Sequence, residues 1–292
     1  MGSMHTKPAD SPEALAEAMD HLRAGRLVGV PSDTGYGFAA SALHLDAVAR
    51  LHALNGGPLL LALTFPVEVF DWLPYLTGVG VRLARRFWPG PLALAGNQGV
   101  REGLLSCLPD NVRRSLAPDG FLPLTVPAQP QLRRLLHGFA APILLAEATT
   151  AAQFAVLAAG AASLVLDAGP APDEGGRTLL QLDGRRVRLL REGAVGLSEI
   201  DDALPCRVLF VCTGNTCRSP IAKALCEKML ADWLGCDAAD LPKRGYLVQS
   251  AGLAALAGEG PSPEGVEAIR PWGADLSGHR SQPLSYDMLA RA

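Results

Sequence analysis

Val208-Leu209-Phe210-Val211-Cys212-Thr213-Gly214-Asn215-Thr216-Cys217-Arg218-Ser219-Pro220 decides the fold of the second half of this chain. The apolar run Val208 to Val211 predicts a buried strand. Ser219-Pro220 offers an N-cap and a first-turn proline, after which Ile221, Leu225 and Met229 recur at helical spacing. The loop from Cys212 to Ser219 therefore opens a helix, where unpaired backbone N–H groups and the dipole favour an anion. Gly214 is expected to let the loop curl so that successive N–H groups face inward. Arg218 adds a planar fork able to hold two phosphate oxygens. In that field Cys212 loses its proton readily. A thiolate at the floor of a phosphate cradle is placed to attack phosphorus and form a phosphocysteine. The five residues between Cys212 and Arg218 let nucleophile and fork meet on one anion. Catalytic Cys212 and Arg218 are expected, with a phosphate cradle of Thr213, Gly214, Asn215, Thr216, Cys217 and Arg218. Zinc at Cys212 and Cys217 would need a second Cys/His pair nearby, which the sequence lacks. Neither metal nor cofactor is required.

The 292 residues leave room for two domains. A hydrophobic fraction of 49% and a charged fraction of 19% are those of a soluble globular protein. A net charge of −3 argues against non-specific binding to nucleic acid or anionic lipid. Six cysteines in a chain this long do not make a disulfide framework. No apolar signal segment follows Met1-Gly2-Ser3-Met4-His5. The most apolar stretch, Phe139 to Leu166, contains Pro142, Glu147 and Gln153, and predicts a buried strand, helix and strand rather than a membrane span. A cytoplasmic location, away from membrane and nucleic acid, is expected.

Ser11-Pro12 starts a first helix carrying Leu15, Met19 and Leu22, and Gly25 stops it before a short apolar strand, Arg26 to Pro31. A second helix is expected from Leu45 to Leu54, ended by Gly56-Gly57. Mixed α/β texture continues to Gly193, and Gly193 to Pro205 looks like a short connection. The expected domains are residues 8–203 and 204–292.

Val208 to Leu225, with Gln249-Ser250-Ala251-Gly252 and Gly278-His279-Arg280-Ser281, resembles the low-molecular-weight protein tyrosine phosphatases. The resemblance implies a Rossmann-like α/β domain with a parallel sheet, and a phosphorylated protein as substrate. It also implies a strained loop asparagine held by two serines and a histidine, here Asn215, Ser219, Ser250 and His279. Tyrosine phosphatases of the family commonly carry a branched aliphatic residue where this chain has Thr216. Thr216 resembles the bacterial members that remove phosphate from arginine, where a hydroxyl can orient a guanidinium. Phosphoarginine and phosphotyrosine both remain open. Cys217 is placed to form a disulfide with Cys212 on oxidation. Arsenate reductases share the loop, but Cys226 and Cys236 do not match their further cysteines. The family's general acid, an Asp in an Asp-Pro-aromatic motif, has no match between Pro205 and Ala292, and Asp287 is no substitute. The resemblance thus covers only the N-terminal part of that domain, with two of four strands. Without the acid, turnover is expected to fall by ~10²–10⁴, and a non-catalytic phosphopeptide-binding module is an alternative.

Val30-Pro31-Ser32-Asp33-Thr34-Gly35-Tyr36-Gly37, Phe87-Trp88-Pro89-Gly90-Pro91 and Arg191-Glu192-Gly193-Ala194-Val195 resemble the YrdC-like threonylcarbamoyl-AMP synthases of tRNA modification. That implies a twisted mixed sheet with helices and an open concave face, and ATP and threonine as ligands if the domain is active. Ser32, Thr34, Tyr36 and Thr178 are the expected remnant of the site. The family's Lys-x-Arg pair falls at Asn55-Gly56-Gly57, its strand arginine near Thr125, and its Ser-x-Ser-Ala-Asn run on Leu145 to Thr149. Its late Ser-Thr pair has become Arg177-Thr178. Together these changes remove most of the anion-binding equipment, and the domain is expected to be inactive, with an active synthase as the alternative. Members also bind double-stranded RNA, which the acidic balance here does not favour.

Overall fold

Ser11 accepts the Ala14 N–H at 3.2 Å and Pro12 occupies the first helical turn, so the helix Pro12–Arg23 begins where its cap dictates. Ala14, Ala18 and Leu22 form its buried stripe, and Gly25, at φ 67°, turns the chain into the next strand. The structure, a computed structural model, describes residues 5–55, 57–76, 78–148, 150–170 and 175–292. It divides into two units, residues 1–200 and 201–292.

The first unit is built on a ten-stranded mixed sheet. Its strands are β1 (His5–Pro8), β2 (Val28–Ser32), β3 (Gly35–Ser41), β4 (Leu60–Ala62) and β5 (Leu92–Gly96), then β6 (Leu122–Thr125), β7 (Ile143–Glu147), β8 (Leu164–Asp167), β9 (Thr178–Asp183) and β10 (Arg186–Arg191). Their spatial order is β1-β8-β2-β3-β7-β4-β6-β5-β9-β10. β2 is buried along its whole length, as a central strand covered on both faces must be. The core joins Val28, Val30, Leu145, Leu164 and Leu166 of the sheet to Leu22, Leu132 and Leu135 of the covering helices. The second helix, Leu45–Asn55, and the strand–helix–strand within residues 139–166 lie where their periodicity puts them.

The second unit pairs β11 (Cys206–Cys212) with β12 (Tyr246–Gly252) in parallel, from Cys206 opposite Tyr246 to Cys212 opposite Gly252. The crossover is the helix Arg218–Leu234, the right kind of connection for a parallel pair. Its small core gathers Ala224, Ile269 and Leu276 with Ile221 and Leu225.

Three local expectations are corrected. β11 is mostly half-buried rather than buried, with Val211 41% exposed, because β12 is its only ladder partner among the described residues. The helix after the loop starts at Arg218 with Cys217 at the cap position, so Ser219 lies inside the first turn and its hydroxyl is free for other partners. The expected connection between the domains contains a helix, Leu197–Ala203. Among the described residues no helix is long and apolar enough to cross a membrane.

Candidate functional site

β11 delivers Cys212 to the end of the parallel pair, and the helix Arg218–Leu234 starts six residues later, so the loop is held at both ends. Cys212 Sγ lies 3.0 Å from Ser219 Oγ and accepts the Asn215 N–H at 3.2 Å. Burial opposes the thiolate, but the Ser219 hydroxyl and N–H, the Asn215 N–H and the Arg218 charge outweigh it. The Cys212 thiol is held below its ordinary range. Arg218 is exposed, and among the described residues its guanidinium hydrogen-bonds the loop only through Thr213 Oγ1, at 3.2 Å. Among the described residues, the backbone N–H groups of Thr213, Gly214, Thr216, Cys217 and Arg218 donate to no protein acceptor. The Thr216 hydroxyl is equally unengaged. Donors of this kind around a low-lying thiol form an anion seat.

The curl of the loop comes from Asn215, at φ 53°, and not from Gly214, which is not in the left-handed region. A non-glycine residue there costs of order 1–3 kcal/mol, and the surroundings offset it. Asn215 is fully buried; its Nδ2 donates to Ser219 Oγ at 2.9 Å and Ser250 Oγ at 3.0 Å. His279 Nε2 lies 2.7 Å from the Asn215 carbonyl oxygen. The structure thus brings Asn215, Ser219, Ser250 and His279 together. Two further supports escape sequence reasoning. The Gln282 backbone N–H donates to Asn215 Oδ1 at 2.9 Å, a contact with no side-chain signature. Gly252 lets the loop lie flat on β12, since a Cβ there would meet Thr213 O at 2.6 Å and Asn215 N at 2.9 Å.

In the first unit, Ser32 and Tyr36 line a cleft of about 410 Å³ together with Asp33, Gln129, Gly169 and several prolines, and among the described residues no Lys or Arg lines it. Tyr36 Oη is already engaged, donating to Gly169 O at 2.8 Å and accepting from Ala168 N at 2.9 Å. Thr34 is buried nearby, and its N–H lies 3.4 Å from Ser32 Oγ. Thr178 is not among the residues lining the cleft, and its hydroxyl donates to Val195 O at 2.9 Å and accepts from Val195 N at 3.0 Å. Of the altered positions, the Asn55 side chain, Gly56 and Thr149 lie outside the described residues.

Asp33 of the cleft is paired with Arg177, which is completely buried. Its Nη1 donates to Gly90 O and Thr125 Oγ1, both at 2.7 Å, and its Nη2 to Asp33 Oδ2 at 3.0 Å and Glu147 Oε1 at 2.9 Å. Its Nε faces both Glu147 oxygens at 3.0 and 3.1 Å. Burial works against the charge, but Glu147 and then Asp33 outweigh it and raise the Arg177 pKa. Every donor of the guanidinium is consumed by the chain itself.

The Sua5/YciO/YrdC family profile, described as telomere recombination, matches residues 20–193. A putative threonylcarbamoyl-AMP synthase of Mycobacterium tuberculosis is 30% identical over 68% of this chain and 92% of its own length. The chain belongs to the Sua5/YciO/YrdC family. The fold of P. abyssi Sua5 agrees, with a TM-score of 0.59 at 19% identity over 97% of this chain and 98% of that one. The second unit of this family member matches another profile, low molecular weight phosphotyrosine protein phosphatase, over residues 207–292. There it is 39% identical to a probable low molecular weight protein-tyrosine-phosphatase EpsP of Ralstonia nicotianae, over 29% of this chain and 50% of that protein. The chain therefore joins a YrdC-like domain to a segment spanning about half the length of the phosphatases it matches.

Proposed function

We propose that the second unit acts on phosphorylated protein side chains, with Cys212 as nucleophile and Arg218 as phosphate fork. The supporting observation is the Cys212 thiol with its lowered pKa, ringed by unengaged backbone N–H groups beside an Arg218 that no carboxylate among the described residues neutralises. The thiolate attacks phosphorus, and the P–O bond of phosphotyrosine or the P–N bond of phosphoarginine breaks. The leaving group takes a proton, and water then hydrolyses the phosphocysteine to phosphate and free thiol. Loop N–H groups from Thr213 to Arg218 stabilise the equatorial oxygens. The unengaged Thr216 hydroxyl is placed to select the leaving group, and favours phosphoarginine over phosphotyrosine by one hydrogen bond. No general acid is assigned, since the Asp287 carboxylate is paired with Arg291 at 2.8 Å.

The YrdC-like domain serves as a non-catalytic partner in this proposal. A triphosphate needs free cations; Arg177, bonded to Asp33 of the cleft, has none of its donors to give, and Arg191 lies 4.0 Å from Glu147. The rival proposal, threonylcarbamoyl-AMP synthesis from ATP and the carbamate of threonine with bicarbonate, draws on the extent of the family match over residues 20–193. One experiment separates them. Phosphate release from phosphoarginine and phosphotyrosine peptides is measured alongside threonine- and bicarbonate-dependent pyrophosphate release from ATP, for the chain and its Cys212→Ser variant. Peptide turnover lost in Cys212→Ser, with no pyrophosphate release, is expected. Pyrophosphate release unaffected by Cys212→Ser, with peptides inert, would establish the synthase instead.

A further inference from the structure

β5 and β6 are antiparallel neighbours, a pair that a two-residue turn can join. The chain instead spends residues 97–121 between them, building the 3-10 turn Leu104–Cys107 and the helix Asp110–Leu116. Connections this long in a packed domain usually have work of their own. This one lines an open concavity of about 560 Å³, a size suited to a small-molecule ligand. Val100, Leu105 and Ala117 give it apolar walls, and Arg101, Arg113 and Arg114 line it as well.

Its charge is out of keeping with the chain, whose acidic residues outnumber Lys and Arg by 29 to 26. Asp110 is the only carboxylate among the lining residues, and it pairs with Arg113. Glu102 and Asp119 belong to the same segment but do not line the cavity. Arg101 and Arg114 are exposed, and neither has an acceptor among the described residues. Like charges gathered around one concavity repel each other unless an anion neutralises them, and low-dielectric walls focus their field on such an anion. None of these residues belongs to the Ser32–Tyr36 cleft or to the Cys212 loop.

We infer that this concavity binds a small phosphate ester, with the phosphate held by Arg101 and Arg114 and its uncharged body against the wall that Val100, Leu105 and Ala117 line. Guanidinium forks grip a phosphate through paired N–H donors, and the apolar walls take the uncharged body. The site is independent of both activities discussed above.

The test titrates AMP and inorganic phosphate into the full chain carrying Arg218→Ala, which silences the phosphate loop. Saturable AMP binding, tighter than that of inorganic phosphate, is expected. Arg101→Ala with Arg114→Ala should weaken it about tenfold or more, the loss expected for charge-assisted hydrogen bonds. Arg114→Glu alone, an exposed charge reversal that spares the core, should abolish it. Absence of saturable AMP binding in the Arg218→Ala chain overturns the inference, and so does undiminished binding in either arginine variant.

Discussion

Two arginines, one in each unit, sit where an anion is expected, and their fates are opposite. Arg218 stands at the rim of a loop with, among the described residues, a single hydrogen bond to Thr213 Oγ1. Arg177 is completely buried, with Asp33, Glu147, Thr125 and Gly90 taking its donors. A guanidinium serves a ligand only with the donors its own chain leaves free. In the phosphatase-like unit the chain spends its polar groups behind the loop, on Asn215, and leaves the cradle empty-handed for an anion. In the YrdC-like domain a carboxylate pair has closed on the cation from within.

Removing Arg177 should produce the largest effect. Arg177→Met leaves two carboxylates buried without their partner, which typically costs about 3–5 kcal/mol. Chemical denaturation of the full chain should show that loss in the transition of the first unit, while Cys212 alkylation stays unchanged. A loss below about 1 kcal/mol would mean that the cluster is not the fixed interior described above.

Next comes the fork of the second unit. Arg218→Ala should lower turnover of a phosphopeptide by about 10²–10³, the scale of one lost preorganised donor. Stability should barely change, because the side chain is exposed. An Arg218→Ala chain that unfolds more readily than Arg177→Met would reverse the contrast between the two residues.

A smaller effect should follow from loosening the loop. Asn215→Ala keeps the left-handed backbone, which costs a non-glycine residue roughly 1–2 kcal/mol, while losing the bonds to Ser219, Ser250 and Gln282. Peptide turnover should drop by about one order of magnitude, and His279→Ala should act in the same direction more weakly.

The smallest change is a shift along the pH axis. The folded pKa of Cys212 is lowered, so its thiolate, and hence its alkylation by iodoacetamide, is present at pH values below the ordinary thiol range. Cys226 is displaced the other way, by burial first and then by Glu227 and Cys206. Alkylation should therefore rise at lower pH for Cys212 than for Cys226. Ser219→Ala should move the Cys212 rise to higher pH. Identical profiles for the two cysteines would remove the electrostatic basis of the nucleophile.

Much of this was legible in the sequence because it is local. Ser11-Pro12, the helix from Leu45 and the strand–helix–strand near Phe139 to Leu166 declare themselves within a few residues. The same is true of strand, loop and helix around Cys212. What stayed hidden is long-range. Along the chain, Thr125, Glu147 and Arg177 are three separate departures from the expected pattern of the family the first unit resembles. In space they are one cluster, a cation bonded to an acid and to a hydroxyl that accepts one of its N–H groups. The strand order, with β8 beside both β1 and β2, has no local signal either. Nor does the Gln282 contact, because it is made by the backbone.

The most direct test of the central claim is to quench a reaction with a phosphoarginine peptide at acid pH and locate the phosphoryl group by peptide mass spectrometry. A phosphocysteine at Cys212, lost in Arg218→Ala, is the expected result. Steady phosphate release with Cys212 unmodified, persisting in Cys212→Ser, would contradict the account.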